Sequence, residues 1–196
     1  MTVAPFAGLG TGYRAILADP PWAFATRSPK GQGKSASQHY PMMDTAAIQA
    51  LPVRELADPS GCALILWATA PMLGEAFDTM TDWGFKHVST GAWAKQSPTG
   101  KSWAFGTGYR YRNAAEFWLL GTMGRVPMGA RNIRNLIVAP VREHSRKPDV
   151  MHEMVEAGFQ GPYLELFARQ SRENWTTWGL ERGKFDAVEK APDRAE

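Results

Sequence analysis

The stretch CALILWA, from Cys62 to Ala68, constrains the fold more than any other part of the sequence. It is a continuous apolar run of strand length, without alternation between polar and apolar residues. Such a run is typical of a strand that is covered on both faces, as in the sheet of an α/β protein. The chain has 196 residues and 44% of them are apolar, so we expect one domain with a sizeable core.

Other short apolar segments alternate with helical patterns along the chain. We predict further strands at Tyr13–Ala18, HVSTGAWAK (87–95), Ala114–Thr122, NLIVAP (135–140), YLELFA (163–168) and NWTTWG (174–179), of which the first four are expected to be buried. We predict helices from a cap at Asp44 to Leu51, from Pro71 to Trp83 with Gly84 as the stop, and over KPDVMHEMVEAG (147–158). This alternation predicts an α/β domain with a mostly parallel sheet flanked by helices.

Three connections are candidates for functional loops. They are Thr26–Tyr40, which is polar and glycine-rich, Gln96–Arg112, which is basic and aromatic, and Met123–Arg134, which carries three arginines. In open α/β sheets the ligand lies beyond the carboxyl ends of the strands, where such loops meet.

Basic residues are concentrated in one part of the chain. The segment from Lys95 to Lys147 holds ten basic and two acidic residues, a net charge of +8, although the whole chain carries only +3. A segment of this kind suits a phosphate backbone, so a nucleic acid is an expected partner. A solvated basic surface without a partner fits the charge equally well.

The motif Asp19-Pro20-Pro21-Trp22 directly follows the first predicted strand. The Asp19 carboxylate and the Pro20 carbonyl could accept both protons of an exocyclic amine, while the indole of Trp22 could stack on the base that carries it. We therefore read the four residues as a catalytic motif for alkylating the amine of adenine or cytosine, with the base swung out of its stack. The alternative is a simple turn with Trp22 in the core.

The order of motifs resembles the MT-A70-like family of adenine-N6 methyltransferases, which use S-adenosyl-L-methionine. The resemblance rests on ADPPWAF, HYPMMDTAAIQALPV, LILWATAPML, WGFKHVSTGAWAKQ, GTGYRYRNAAEFWLLGTMGR, REHSRKPDVMHEMVE and YLELFARQSRENWTTWG, and covers about Tyr13 to Glu181. It implies a Rossmann-like class I methyltransferase fold. It also implies a circular permutation, in which the catalytic motif precedes the cofactor strand YLELFARQ.

The resemblance also implies a set of cofactor-binding residues, namely Lys147, Phe167, Arg169, Ser171 and Glu181. Lys147 would pair with the methionine carboxylate, and the Arg169 guanidinium could fork onto ribose hydroxyls or the same carboxylate. Eukaryotic members carry His-Asn where this chain has Ser171 and Arg172. Relatives often have Asn before Gln or Glu where this chain has Leu180-Glu181, so adenosyl recognition is expected to differ.

Nine residues are predicted to bind the substrate. They are His39, Tyr40, Lys95, Trp103, Tyr109, Arg110, Arg112, Asn113 and Glu116. Glu116 either orients Lys147 or Lys95 near the base or forms a surface salt bridge. The other tryptophans of the regular elements, Trp83, Trp93 and Trp118, fit a core. Four scattered histidines and one cysteine offer no ligand spacing for a metal, and Cys62 fits an inert core residue.

Domain boundaries follow from these assignments. The stretch FAGLG (6–10) resembles a cofactor loop, yet Thr11 and Gly12 leave no room for the helix that such a loop opens, so residues 1–12 are predicted to form an N-terminal arm. Residues 13–181 form the methyltransferase domain, and 182–196 a polar tail. A cytoplasmic location without membrane contact is the default expectation, because no long apolar stretch or signal peptide is seen.

The favoured function is methylation of DNA adenine, because the chain lacks the added regions of the eukaryotic RNA enzymes. Methylation of RNA adenosine is the alternative, since the pocket chemistry would be the same. A non-catalytic nucleic-acid-binding relative is the third reading, which the intact Asp19–Trp22 motif disfavours. Methylation of a small molecule is disfavoured by the basic segment.

Overall fold

The computed structural model describes residues 5–23, 42–108, 110–143 and 145–186. The strands are β1 (Ala15–Ala18), β2 (Gly61–Ala68), β3 (Lys86–Gln96), β4 (Ala115–Gly124), β5 (Leu136–Pro140), β6 (Tyr163–Leu166) and β7 (Trp175–Trp178). The helices are α1 (Thr45–Gln49), α2 (Leu73–Asp82) and α3 (Val150–Gly158), with short 3-10 turns at Val53–Leu56 and Ala70–Met72.

All seven strands belong to one sheet in the order β5-β3-β4-β2-β1-β6-β7. Four of the pairings are parallel, namely β1 with β2 and β6, β6 with β7, and β3 with β5. Strand β4 is antiparallel to both of its neighbours, β2 and β3. The predicted α/β fold with a mostly parallel sheet is confirmed.

Helices cover the two faces of the central strands. Ile48 of α1 and Met80 of α2 pack on one face with Ile16 and Leu64. Met151 of α3 packs on the opposite face with Leu17. Every residue of β2 is buried, as its unbroken apolar run predicted. Residues of such a strand face a helix layer on each side, so neither side tolerates polar groups.

The outer strands differ from the prediction of buried strands. The first residues of β3 are exposed, and Leu136 and Val138 of β5 are exposed as well. Strand β5 lies at the edge of the sheet, and the exposure of Leu136 and Val138 shows that one of its faces is largely uncovered. At β3 and β5 the sequence therefore predicted the strands but not their degree of burial.

Several local predictions can be compared with the structure. Trp83, Trp93 and Trp118 are buried, which confirms their place in the core. Gly84 adopts φ 83° directly after Trp83, the C-cap of α2, and so provides the predicted stop. Asp44 lies at the N-cap of α1, but its side chain makes no capping hydrogen bond.

The single cysteine and the described helices bear on two questions, namely whether the thiol is reactive and whether a helix could cross a membrane. Cys62 is buried in β2, and burial raises the pKa of its thiol to about 12. The thiol therefore stays protonated near neutral pH. No helix in the described ranges has both the length and the apolar character needed to cross a membrane.

Gly91 of β3 allows a close contact with the neighbouring strand. A Cβ at this position would lie 2.0 Å from Cζ2 of the Trp118 side chain and 2.5 Å from the Asn135 carbonyl oxygen. Gly91→Ala should therefore lower the free energy of unfolding by about 1–3 kcal/mol, because the buried indole has no room to move away. Urea unfolding followed by tryptophan fluorescence measures this change.

Gly74→Ala is the matched control for this prediction. Gly74 lies in α2, and a Cβ there would meet no atom within 4 Å. That variant should be about as stable as the natural chain or more stable by roughly 0.5–1 kcal/mol. Equal stabilities of the two variants would contradict the close contact at Gly91.

Candidate active site

The carboxyl ends of β1, β2, β6 and β7 meet at one edge of the sheet, because these strands are parallel neighbours. The antiparallel strand β4 begins at the same edge, where Phe117 pairs with Ala68 at the end of β2. Residues that follow the parallel strands therefore lie close to residues at the start of β4. This edge brings together most of the predicted site residues that the structure describes.

Asp19 follows β1 at the centre of this edge, between β2 and β6. The turn after it is held by backbone bonds, since the Trp22 N–H donates to the Pro20 carbonyl at 2.8 Å and the Met43 N–H donates to the Pro21 carbonyl at 3.0 Å. The Pro20 carbonyl is thus already engaged, although a carbonyl oxygen has a second lone pair for a ligand.

Trp22 lies in the core, which corrects the prediction that its indole faces the base. Only 4% of the residue is exposed, and its Nε1–H donates to the Trp67 carbonyl at 2.9 Å. This bond ties the end of the motif to the end of β2. The structure gives Trp22 a structural position, with no open face on which a base could stack.

A row of four alternating charges lies at the edge of the sheet. The Lys147 ammonium donates to Asp19 Oδ2 at 2.7 Å and lies 3.4 Å from Glu116 Oε2. Glu116 in turn accepts from Lys95 through Oε1 at 2.5 Å. All four side chains are largely buried. The prediction that Glu116 orients Lys147 or Lys95 fits this arrangement, whereas the alternative of a surface salt bridge does not.

Aromatic rings lie beside both ammonium groups of this row. Lys147 Nζ is 5.5 Å from the centre of the Trp67 ring, and Lys95 Nζ is 4.9 Å from that of Trp93. Ring faces attract cations at such distances. The rings therefore stabilise the ammonium groups where water is partly excluded.

The two carboxylates of the row respond differently to burial. Burial raises the pKa of Asp19, and the pull of Lys147 in the opposite direction does not fully offset it. Burial also acts to raise the pKa of Glu116, but the ammonium groups of Lys147 and Lys95 outweigh it, so that pKa is lowered. Glu116 is therefore the fixed anion, and Asp19 is the carboxylate that more readily exchanges partners or protons.

The loop before α3 is braced so that Lys147 reaches this row. The Arg142 guanidinium donates to Asp149 at 2.7 and 3.1 Å and to the Lys147 carbonyl at 2.5 Å. A guanidinium fork of this kind fixes geometry as well as charge. Sequence reasoning missed Arg142, because a surface arginine in a basic segment gives no sign of its partner.

A pocket that is open to solvent extends from Asp19 to the loop that follows β6. Its lining includes three of the predicted cofactor-binding residues, Lys147, Phe167 and Arg169. Phe167 adopts φ 63°, which is unusual for a bulky side chain. Backbone strain of this kind is often found at functional sites.

The other two predicted cofactor-binding residues are Glu181 and Ser171, which bond to Arg169 of the pocket lining and to Asp186. Glu181 Oε2 accepts from Arg169 Nε at 2.9 Å, and the Ser171 N–H donates to Asp186 Oδ1 at 2.6 Å. Both residues are thus placed beside the pocket, among residues that line it. Residues from 182 to 186, which the sequence assigned to a polar tail, pack here as well.

Several lining residues were missed by sequence reasoning. They are Trp67, Arg146, His152, Glu165, Gln170 and Phe185. His152 and Glu165 form a pair, with Nε2 and Oε2 2.8 Å apart. The only available signal was Glu165, a carboxylate within an otherwise apolar strand.

Unpaired polar atoms in the pocket lining indicate that it suits a polar ligand. Trp67 Nε1, Arg146 Nε and His152 Nδ1 are buried, and none of them has a hydrogen-bond partner among the residues that the structure describes. Such groups are costly to bury unsatisfied. A ligand with a carboxylate, an amine and hydroxyl groups would offer partners to them.

The loop between β3 and β4 carries the remaining predicted substrate residues and leaves the same edge of the sheet. Trp103 is 63% exposed, Phe105 78% and Tyr111 90%, while the Arg112 guanidinium lies 5.1 Å from the centre of the Phe105 ring. Arg110 and Asn113 are exposed. His39, Tyr40 and Tyr109 lie outside the described residues. Phe105 and Tyr111 were not predicted, although the aromatic, basic composition of the loop pointed to them.

The sheet, the pocket at its carboxyl edge and the acidic motif after β1 define a protein of the Rossmann-like class. The MT-A70 family model matches residues 13–181, nearly the whole chain. The chain therefore belongs to the MT-A70 family, whose named members are methyltransferases and thus transferases.

Three relatives show the range of the family. The chain is 29% identical over 188 residues to the type II methyltransferase M.MunI of Mycoplasma sp., covering 86% of this chain and 77% of that protein. It is 29% identical to the N(6)-adenine-specific methyltransferase METTL4 of Homo sapiens, over 90% and 39% of the two chains. It is 32% identical to an N(6)-adenosine-methyltransferase MT-A70-like protein of Arabidopsis thaliana, over 87% and 24%. The chain thus spans well under half the length of these two eukaryotic relatives.

Replacing Lys147 tests the row of charges. Lys147→Met should lower the free energy of unfolding by up to about 3 kcal/mol, because it leaves Asp19 and Glu116 facing each other without the cation between them. The repulsion raises the pKa of both carboxylates. Protonation relieves that repulsion. The difference in free energy of unfolding between the natural chain and the variant should therefore shrink as the pH falls from about 7 to about 5, as measured by urea unfolding.

Lys184→Met is the control for this prediction. Lys184 also pairs with a carboxylate, that of Glu181, but it is exposed at the surface. Its replacement should cost about 0–1 kcal/mol, without the same dependence on pH. A Lys147→Met deficit that stays constant between the two pH values would contradict the assigned repulsion.

Proposed function

We propose that this protein transfers a methyl group from S-adenosyl-L-methionine to the N6 amine of adenine in a nucleic acid, with DNA as the favoured substrate. The observation that carries the proposal is the pocket that joins Asp19 to Lys147, Phe167 and Arg169. It connects the predicted catalytic motif with the predicted cofactor residues, as methyl transfer between two bound molecules requires. The family match supports the same reaction.

The cofactor would occupy the pocket at the end of β6. Lys147 and Arg169 would meet its carboxylate and ribose hydroxyls, and the unpaired Nε of Arg146 and Nδ1 of His152 would find acceptors or donors. When bound, the cofactor supplies an electrophilic methyl group on sulfonium. A circularly permuted order fits this assignment, because β1 with the catalytic motif precedes its parallel neighbour β6 in the chain.

Asp19 would hold the adenine amine beside the pocket. A carboxylate has two oxygens with about four lone-pair sites, so Asp19 can accept from the amine while Lys147 stays on Oδ2. The second lone pair of the Pro20 carbonyl would accept the other amine proton. As the nitrogen gains positive charge, the Asp19 carboxylate stabilises it and can take the departing proton, which its raised pKa favours.

Positioning is the main contribution that this mechanism asks of the protein. The Lys147 ammonium fixes the Asp19 carboxylate from one side, and Glu116 fixes the ammonium from the other. Reacting groups held in line gain a large effective molarity. The step needs no covalent enzyme intermediate, because the amine attacks the methyl group directly.

Asp19→Asn tests the reaction directly. The variant keeps the shape of the side chain but loses the charge that stabilises the alkylated amine, so methylation should fall at least about 100-fold. Incubation with labelled S-adenosylmethionine and an adenine-containing oligonucleotide measures the rate. Asp78→Asn, on the exposed face of α2, should leave the rate unchanged.

Turnover of Asp19→Asn at the natural rate, in a protein with an unchanged melting temperature, would overturn the assignment. Trp22→Ala is a poor test of chemistry. The indole is part of the core, so its removal should cost about 3–5 kcal/mol of stability instead of a contact with the base.

A nucleic acid is the proposed substrate because the loop between β3 and β4 combines exposed rings with cations. Arg112 and Lys101 can meet phosphates, while Trp103, Phe105 and Tyr111 offer faces to unpaired bases. Similarity to the bacterial enzyme over most of both chains favours DNA. RNA is the second candidate, since a relative of Arabidopsis thaliana is named an N(6)-adenosine-methyltransferase and is 32% identical, over 24% of its own length. A cytoplasmic location is also part of the proposal, since a single cysteine allows no internal disulfide of the kind that oxidising compartments favour.

Matched DNA and RNA oligonucleotides separate these substrates. After incubation with labelled cofactor, nucleoside mass spectrometry should find N6-methyladenine in the DNA, with less product in the RNA. Product in RNA alone would replace the favoured substrate by the alternative. Binding of either strand without any product would favour the non-catalytic relative.

Phe105→Ala tests the aromatic loop. The ring is exposed, so its loss should leave stability unchanged but weaken binding of a single-stranded oligonucleotide about tenfold, as expected for one lost base stack. Fluorescence anisotropy at fixed salt measures the affinity. Phe77→Ala removes a partly exposed ring on α2 and serves as the control. An equal effect of the two variants would exclude a specific role of Phe105.

A further inference from the structure

The segment Glu181–Asp186, here called the C-terminal strap, is fastened to the loop that follows β6. Glu181 pairs with Arg169 at 2.9 Å, and the Phe185 N–H donates to the Arg169 carbonyl at 3.0 Å. Asp186 Oδ1 accepts the Ser171 N–H at 2.6 Å. The family match ends at residue 181, so the strap lies almost entirely outside it.

The ring of Phe185 lines the pocket and contacts two guanidinium groups. The Arg146 guanidinium carbon lies 4.9 Å from the ring centre, and that of Arg169 lies 5.7 Å from it. Arg146 comes from the loop before α3 and Arg169 from the loop after β6. One ring therefore joins two cations that belong to different walls of the same pocket.

The Arg146 and Arg169 guanidiniums carry like charges and repel each other. The Phe185 ring offsets part of that repulsion, because it attracts both cations. Each face of a phenyl ring carries negative charge density and attracts a cation by about 0.5–1 kcal/mol at sites of moderate exposure. The ring also keeps water away from the guanidinium planes. Phe185 thereby holds both arginines at the pocket without neutralising them, as a carboxylate would.

Arg146 keeps an unused donor in this arrangement. Its terminal nitrogens donate to Glu143 and to Gln170 Oε1, the latter at 2.9 Å. Its Nε is buried and, within the described part of the chain, has no partner. A ligand with an acceptor group would satisfy that donor only if the guanidinium stayed in its present orientation.

We propose that Phe185 is a positioning residue for the cofactor, and that its ring holds the Arg146 and Arg169 guanidiniums in the orientation that binds the anionic and hydroxyl groups of S-adenosyl compounds. This inference rests on the proposed function of the pocket. The aromatic character of the ring is the property that matters, since the contact is between cations and a π face. The size of the side chain alone does not provide it.

Isothermal titration calorimetry with S-adenosylhomocysteine tests the proposal without turnover. Phe185→Leu keeps an apolar side chain but removes the π face, so binding should weaken about 5- to 30-fold, as expected for the loss of two cation–π contacts. Phe185→Tyr keeps the ring and should bind within about threefold of the natural chain. Val88→Ala alters a residue of β3 that is 56% exposed and lies at the opposite edge of the sheet, so this variant should bind normally.

Kinetics provides a second readout for the same variants. Phe185→Leu should raise the KM for S-adenosylmethionine while kcat at saturating cofactor stays near that of the natural chain. A merely structural role of the strap would instead lower kcat or the melting temperature of both Phe185 variants. Melting curves of all variants are therefore recorded alongside.

A double-variant cycle with Arg146→Met keeps the proposal testable if Phe185→Leu is poorly folded. Because the ring acts through the arginine, adding Phe185→Leu to Arg146→Met should weaken binding less than it does in the natural chain. Fully additive losses would overturn the proposal. So would unchanged or tighter binding by Phe185→Leu, which would show that the ring only fills the pocket, or an equal loss in Phe185→Tyr. Absence of binding by the natural chain would instead refute the proposed function.

Discussion

The position of one ammonium group, that of Lys147, between the carboxylates of Asp19 and Glu116 governs the rest of the site. Two carboxylates so close together in a partly buried place would repel each other and shift toward their protonated forms. The cation makes their proximity possible, and Lys95 on the far side of Glu116 completes a row without net charge. A row of this kind holds each member in place, because moving any one of them takes an opposite charge away from a largely buried neighbour.

The topology of the sheet explains how these residues meet. Asp19 follows a parallel strand, so it lies at the edge where the parallel strands end. Glu116 lies near the beginning of β4, and it reaches the same edge only because β4 runs antiparallel to β2 and β3. Had β4 been parallel, Glu116 would lie at the opposite edge, and Lys147 would have one carboxylate instead of two.

Burial and the neighbouring charges give the two carboxylates, Asp19 and Glu116, different pKa values and therefore different roles. Glu116 has a cation on each side, which lowers its pKa, whereas Asp19 has mainly Lys147 and remains above its ordinary range. The carboxylate with the raised pKa is the one that lines the pocket. Aromatic rings also stabilise the cations of the site. Trp67 and Trp93 lie beside the ammonium groups, and Phe185 lies beside the guanidiniums. Rings thus accompany the cations throughout the site.

The amino-acid sequence by itself determined the α/β class and the place of all seven strands, because apolar runs of strand length and the Gly84 stop are local signals. It also pointed to Asp19, as an acid directly after a buried strand, and to Glu116, as an acid isolated within the basic segment. Lys147 was expected from the resemblance to the family. The sequence did not determine the position of Trp22, because an indole after two prolines can face inward or outward, and only the carbonyl of Trp67 in β2 decides between them. The partners of Glu116, the two arginines beside Phe185 and the unpaired donors of the pocket come from distant parts of the chain. Tertiary structure alone decided them, since contacts between distant segments depend on strand order and direction, which local patterns do not encode.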